Sequence, residues 1–515
     1  MSTLEPPLDA FTASYAKGGA LVWTKRLADL ETPVSALLKL GADQPGTFLL
    51  ESVQGGDWRG RYSIIGLRPD LVWRVRDGRA EMSAGKFEDA AFRPDKAPPL
   101  QSLRKLIARS ALAIPSSLPP PSAGLFGYLS YDMVRFAERI PENAPDPIGA
   151  PTALLVRPTV VCVFDNVLSE ITLVTPVRGQ TRKSRAEPRA AYERARARLE
   201  RVLRALDRPL KRTAAPVAPS KPFPQPESNI TPARYKEMVE RCKQYARAGD
   251  VFQVVPSQRF SAPLQAPPFA LYRALRRLNP SPFMFYQNFA DFSVVGASPE
   301  ILVRLRDGMV TVRPIAGTRP RGKTPAEDAA LEAELLADPK ERAEHLMLLD
   351  LGRNDVGRVA QRGRPHGANA AGAEAGSPNV RVTSSFQVER YSHVMHIVSN
   401  VEGRIADDLD AIDALLAGFP AGTVSGAPKV RAMEIINELE PHNRGVYAGG
   451  IGYFSAGGEM DTCIALRTAV VKDGRIYVQA GGGVVLDSDP QLELEETQHK
   501  AAALFRAAAD AWRYV

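Results

Sequence analysis

The sequence predicts an α+β fold in which antiparallel β-sheets pack against helices. Three observations carry this reading. Asp77-Gly78, Asp307-Gly308 and Asp473-Gly474 each separate two β-rich runs, as a tight hairpin turn does. Thr32-Pro33 and Thr231-Pro232 each precede an apolar-periodic run, as a helix start does. Strands and helices also follow one another without the regular βα alternation of a doubly wound parallel sheet.

Taken in order, residues 46–82 alternate short apolar runs with turn residues at Gly55-Gly56 and Asp77-Gly78. Residues 152–176 read as two strands around Asp165-Asn166. Between these lie scattered helices such as TPVSALLKL. Residues 1–206 thus form a strand-rich N-terminal region. Residues 207–228 hold six prolines and no apolar periodicity, which reads as an extended linker. The segment 229–515 begins with a helix from Thr231-Pro232 to Gly249. It continues with hairpins around 295–316 and 463–483 and helices at about 326–352, 408–417, 428–438 and 490–512. Residues 362–379, rich in Gly and Ala, read as a surface loop.

Composition narrows the class. With 44% apolar and 24% charged residues, the 515-residue chain has the make-up of a soluble globular protein of several domains. It lacks an apolar run near the ~18 residues a membrane helix needs, and its first residues carry no basic-then-apolar leader. Cys162, Cys242 and Cys463 show no metal or redox spacing and fit a reducing cytoplasm. The formal charge of +8 resides in residues 181–212, which hold twelve basic and four acidic residues. That stretch has one aromatic, Tyr192, so it reads as the solvated face of an Arg-rich helix rather than as a nucleic-acid footprint.

Candidate chemistry begins with carboxylates. Glu341 and Glu344 share one face of a predicted helix, and Glu493 and Glu496 repeat the spacing. Two such faces could meet on a hard divalent cation such as magnesium, or simply be exposed surface ion-paired to Lys340, Arg342 and Lys500. The glycine runs 480–483 and 447–452 match no nucleotide-binding loop. Thr423 and Ser425 precede a helix start near Pro428, which suits either a carboxylate or phosphate site or an ordinary hydroxyl cap. His393 and His396 lie three apart, so one at most need face a site. No nucleophile elbow or glutaminase-type cysteine context occurs.

These strings closely resemble the large subunit (component I) family of anthranilate synthases, within the chorismate-utilising enzymes. The resemblance runs through GDVFQVVPSQRF, VVGASPEILVR, RPIAGTRPRG, ERAEHLMLLDLGRNDVGRV, FPAGTVSGAPKVRAMEIINELEP, RGVYAGGIGYF and AGGGVVLDSDP, and covers most of 230–505. It implies a chorismate-binding catalytic domain at 229–515 behind an N-terminal regulatory region. It implies that chorismate and ammonia give 2-amino-2-deoxyisochorismate and then anthranilate and pyruvate. It also implies a magnesium ion on Glu344 and Glu496, supported by Glu341 and Glu493. Glu300 then matches the general acid for the departing C4 hydroxyl, and His396 the histidine of pyruvate elimination. Gly317, Thr423, Tyr447, Arg467, Gly481, Gly483 and Lys500 match substrate-contacting positions.

Two positions separate the siblings within this resemblance. Gln253 stands where isochorismate and salicylate synthases carry a water-activating Lys, so ammonia is the implied nucleophile. Ala316 stands where aminodeoxychorismate synthases carry a nucleophilic Lys. Aminodeoxychorismate synthase, or a non-catalytic scaffold for an amidotransferase, is the alternative. The resemblance further implies a separate glutamine amidotransferase subunit as ammonia source. Feedback by tryptophan is implied through Glu51, Ser52, Arg61, Pro282, Phe283, Met284 and Tyr453. No nucleic-acid or membrane partner is expected.

Overall fold

A computed structural model describes residues 3–52, 61–141, 144–179, 187–210, 218–362, 379–391 and 394–515. Gly55-Gly56, His393, nearly all of the expected loop at 362–379 and part of the expected linker lie outside the described residues. The three Asp-Gly pairs turn hairpins as expected. Asp77, Asp307 and Asp473 have φ near +50° and their glycines φ near +70°, the geometry that lets a two-residue turn follow the twist of its strands. Thr32 caps Pro33–Leu40 and Thr231 caps Pro232–Ala248, each hydroxyl accepting a backbone N–H two or three residues into its helix. Gly249 ends the second of these in the left-handed region at φ +82°.

The expected helix at 326–352 is in fact two, Pro325–Ala337 and Pro339–Gly357. Pro339 disfavours helical backbone at the residue before it. Asp338 therefore stands extended, and its carboxylate caps the second helix at the N–H groups of Lys340 and Glu341. The Arg-rich helix Pro188–Leu206 buries Ala191, Ala195, Leu199, Val202 and Leu206 along one stripe and exposes Arg189, Arg194, Arg196, Arg201 and Arg204, while Arg198 tucks in and donates Nε to the Thr175 hydroxyl at 2.9 Å.

Among the described residues all strand pairings are antiparallel, and they join the two halves of the chain. Phe48–Glu51 pairs with Phe283–Asn288, and Gly124–Leu129 with Gly450–Ser455. The core is shared in the same way. One cluster gathers Phe11, Leu37 and Leu199 with Leu275, Val295 and Leu504, and a second gathers Trp73 and Leu103 with Leu302, Leu415 and Phe454. Among the described residues no helix is long and apolar enough to cross a membrane. The three cysteines are buried and unbridged.

Candidate active site

Glu300 follows Ser298 at the bend between the strands Phe292–Ser298 and Ile301–Arg306. It is 6% exposed, and burial pushes its carboxyl up to about 8. Three groups moderate that rise: the Thr423 hydroxyl, which donates to Oε1 at 3.0 Å, the nearby Arg467 guanidinium, and the Ile315 backbone. Thr423 sits on the single turn Gly422–Ser425, so it serves Glu300 rather than capping the following helix. Arg467 is half-buried with φ +47°, a costly backbone for a side chain this large, and its carbonyl accepts from Ala297. A carboxyl that keeps its proton at neutral pH beside a cation and a hydroxyl can give that proton to a leaving group.

His396 lies on the strand Val394–Arg404, with Nδ1 3.0 Å from the Gly317 carbonyl and 3.0 Å from the Thr318 hydroxyl. A carbonyl only accepts, so the ring proton belongs on Nδ1 and Nε2 keeps a free lone pair. Burial depresses the ring's pKa to about 4, so the imidazole is neutral and available as a base at pH 7. Gly317 has φ +73°, and a Cβ there would stand 3.2 Å from Glu341 Oε2. The histidine and the first glutamate pair thus share one wall.

The glutamate pairs lie on helices Pro339–Gly357 and Pro490–Asp510, near enough for the Glu496 charge to act on Glu344, although the Glu496 side chain is 47% exposed. Burial raises the Glu344 carboxyl, and the charges of Glu341 and Glu496 raise it further. Burial likewise raises Glu493, again with Glu496 adding. Lys500 bridges this end of the site: its Nζ is 2.6 Å from Glu496 Oε1 and donates to the Gly481 carbonyl at 2.9 Å. Among the described residues no group of three His, Cys, Asp or Glu side chains is drawn together closely enough to hold a metal ion by itself. The donor set nevertheless fits a hard cation. It offers carboxylate oxygens alone, crowded by like charge, and Glu493 Oε2 is buried without a hydrogen-bond partner. A Cβ at Gly482 would come within 2.6 Å of that oxygen, so glycine keeps the space in front of it open.

Gln253 completes the floor. It is 4% exposed, hydrogen-bonds Glu344, and would collide at 2.3 Å with a Cβ at Gly483. Tyr447 packs under the same strand end, its hydroxyl at the Gly481 backbone, and burial pushes it up to about 12, so it stays protonated. The fourteen candidate catalytic, substrate and metal positions therefore form one connected set. Sequence reasoning missed Thr318, and it missed Glu440 and Arg444, whose i,i+4 spacing looks like any surface pair but which lie buried behind this set.

The seven positions matched to an inhibitor gather elsewhere. Glu51, Ser52, Arg61, Pro282, Phe283, Met284 and Tyr453 line one cavity of about 1140 Å³, against about 30 Å³ for a pocket lined by Glu300, Leu302 and Thr423. Glu51 is 5% exposed. Its carboxylate is taken by the Tyr272 hydroxyl and by Arg276, which donates Nε at 2.8 Å and Nη2 at 3.1 Å.

A family model described as chorismate binding enzyme matches residues 68–506. Anthranilate synthase component 1 of Cereibacter sphaeroides is 58% identical over 508 residues, 98% of this chain and 97% of that protein. The protein of the same name from Pseudomonas aeruginosa is 50% identical over 494 residues, 94% of each. Anthranilate synthase component I from Streptococcus pneumoniae matches the structure with a TM-score of 0.73 at 36% identity, over 93% of this chain and 99% of that one. The menaquinone-specific isochorismate synthase of Escherichia coli shares the fold, with a TM-score of 0.68 at 18% identity over 98% of each chain.

Proposed function

The chain belongs to the chorismate binding enzyme family, alongside relatives named anthranilate synthase component 1, and on that premise we propose that it is a cytoplasmic large subunit that aminates chorismate. Ammonia attacks ring carbon C2, the C4 hydroxyl leaves as water, and elimination of the enolpyruvyl group as pyruvate yields anthranilate. The observation that carries this reading is the buried, protonated Glu300 held between Thr423 and Arg467. Hydroxide is a poor leaving group, and a carboxyl with its proton in place meets that need. In the second half, neutral His396 takes a ring proton on Nε2 while Gly317 holds Nδ1–H. Arg467 pairs with the enolpyruvyl carboxylate, and Gly481 and Gly483 let the backbone approach the ligand.

Gln253 and Ala316 support amination without a covalent enzyme intermediate. Neither side chain can act as a base or nucleophile, and both are buried in the connected set or its bordering strand. Glu344 and Glu496, with Glu341 and Glu493 behind them, would hold magnesium. When bound, the ion neutralises the substrate ring carboxylate and withdraws electron density from the ring. A glutamine amidotransferase subunit is the proposed ammonia source.

The test is direct. Chorismate, magnesium and an ammonium salt with this chain alone are expected to give anthranilate fluorescence, and a product that keeps its enolpyruvyl group by mass spectrometry would favour aminodeoxychorismate synthesis instead. At constant free ammonia, kcat is expected to fall as pH rises through about 8. Above that value the Glu300 carboxyl, facing Thr423, Arg467 and the Ile315 backbone, loses the proton it donates. A rate still rising at pH 10 would remove Glu300 from that role.

The second cavity is proposed to hold tryptophan as a feedback inhibitor. Ser52→Tyr is expected to fill it and to raise the tryptophan concentration for half-inhibition at least ~10-fold, with kcat unchanged. Unaltered inhibition in that variant would place the inhibitor elsewhere.

A further inference from the structure

Glu440 and Arg444 flank the short loop after helix Lys429–Leu439. Their side chains are 4% and 1% exposed. The guanidinium donates from Nε and Nη2 to the two Glu440 oxygens, at 3.0 and 2.6 Å. It also donates from Nη1 to the Val424 carbonyl and from Nη2 to the Val255 carbonyl, each at 2.6 Å. Its faces lie against the rings of Tyr131 and Tyr447, at 4.8 and 5.5 Å from their centres. Glu440 accepts the Ser257 backbone N–H and hydroxyl, both at 2.8 Å.

A buried ion pair is a poor stabiliser, because desolvating both charges offsets most of their attraction. What this pair has is reach. Val424 adjoins Thr423, the donor to Glu300. Val255 lies two residues past Gln253, and its N–H donates to Ser425 at 3.0 Å. Tyr447 reaches Gly481. The turn after Arg444 is pinned from the N-terminal segment, where Gly445 N–H donates to Asp132 at 2.9 Å and Tyr131 N–H donates to the Gly445 carbonyl at 2.9 Å. Five donors in a rigid fork can span such a set, whereas an ammonium cannot.

We propose that Arg444, oriented by Glu440, is a positioning residue for the chorismate reaction, fixing the segments that carry Thr423, Gln253 and Tyr447 relative to Glu300. This rests on the functional reading above. The experiment compares wild type, R444K, E440D and T423V with chorismate, magnesium and ammonium. R444K keeps the charge and loses the fork, and is expected to lower kcat about 10–100-fold with KM for chorismate within about threefold. It is also expected to move the alkaline limb of kcat upward, because Thr423 no longer holds the Glu300 carboxyl down. T423V should move the limb the same way, and the double variant should add little, since both remove one contact. A merely structural role would lower the melting temperature while leaving kcat per folded enzyme and the limb in place, and that result overturns the proposal. If R444K does not fold, E440D is judged by the same two readouts. A wild type without anthranilate formation overturns the functional reading first, and this proposal with it.

Discussion

Glu300→Gln is expected to lower kcat for anthranilate formation by about 10²–10⁴-fold, the range a positioned general acid supplies. Glutamine keeps the size of the side chain and an acceptor for the Thr423 hydroxyl, but has no proton to give to the leaving oxygen. The fold should not suffer. In the native state the Glu300 carboxyl stays protonated up to about 8, whereas in the unfolded chain it ionises near its ordinary value of 4.5. Between those values the unfolded state releases a proton that the native state retains, so wild type loses stability as pH rises and the amide variant does not. Thermal melts at pH 9 should therefore show the variant at or above wild type, while the fluorescence assay shows it nearly inactive. Wild-type turnover in the variant would exclude proton donation by this residue.

Glu344→Gln and Glu496→Gln are expected to reduce activity at least ~100-fold and to abolish the rise in melting temperature that is expected of the wild type on adding magnesium. The second readout needs no chemistry, since a cation that binds only the native state stabilises it by mass action. Without magnesium, Glu344→Gln should melt higher than wild type, because burial and the charges of Glu341 and Glu496 already disfavour its ionised form. A magnesium-dependent melting shift that survives in both variants would mean that the ion is held elsewhere.

Much of this architecture is legible in the residues themselves. The Asp-Gly turns and Thr-Pro starts lie where the chain turns and caps because each depends on two or three neighbouring positions. The break at Asp338 is equally local, and Pro339 signals it, although the surrounding run of helix formers masks the signal. The carboxylate pairs are legible as pairs. Their nearness to one another is not, because only the tertiary fold brings helices Pro339–Gly357 and Pro490–Asp510 within reach of each other's charges. Arg276 taking the Glu51 carboxylate is a contact across 225 residues, and no local pattern announces it. Arg444 is similar: its partners at Val255 and Val424 are carbonyls, which any residue offers, so its role emerges from burial and direction rather than from spacing.

The pairing of Phe48–Glu51 with Phe283–Asn288, and of Gly124–Leu129 with Gly450–Ser455, has a consequence for how this chain can be divided. A fragment starting at the linker would leave two strand edges bare, and naked edges invite intermolecular β-pairing and aggregation. Losing residues 1–206 would thus threaten solubility. Substitutions in the lining of the cavity around Ser52 and Met284 change that pocket and keep both edges paired, which truncation does not.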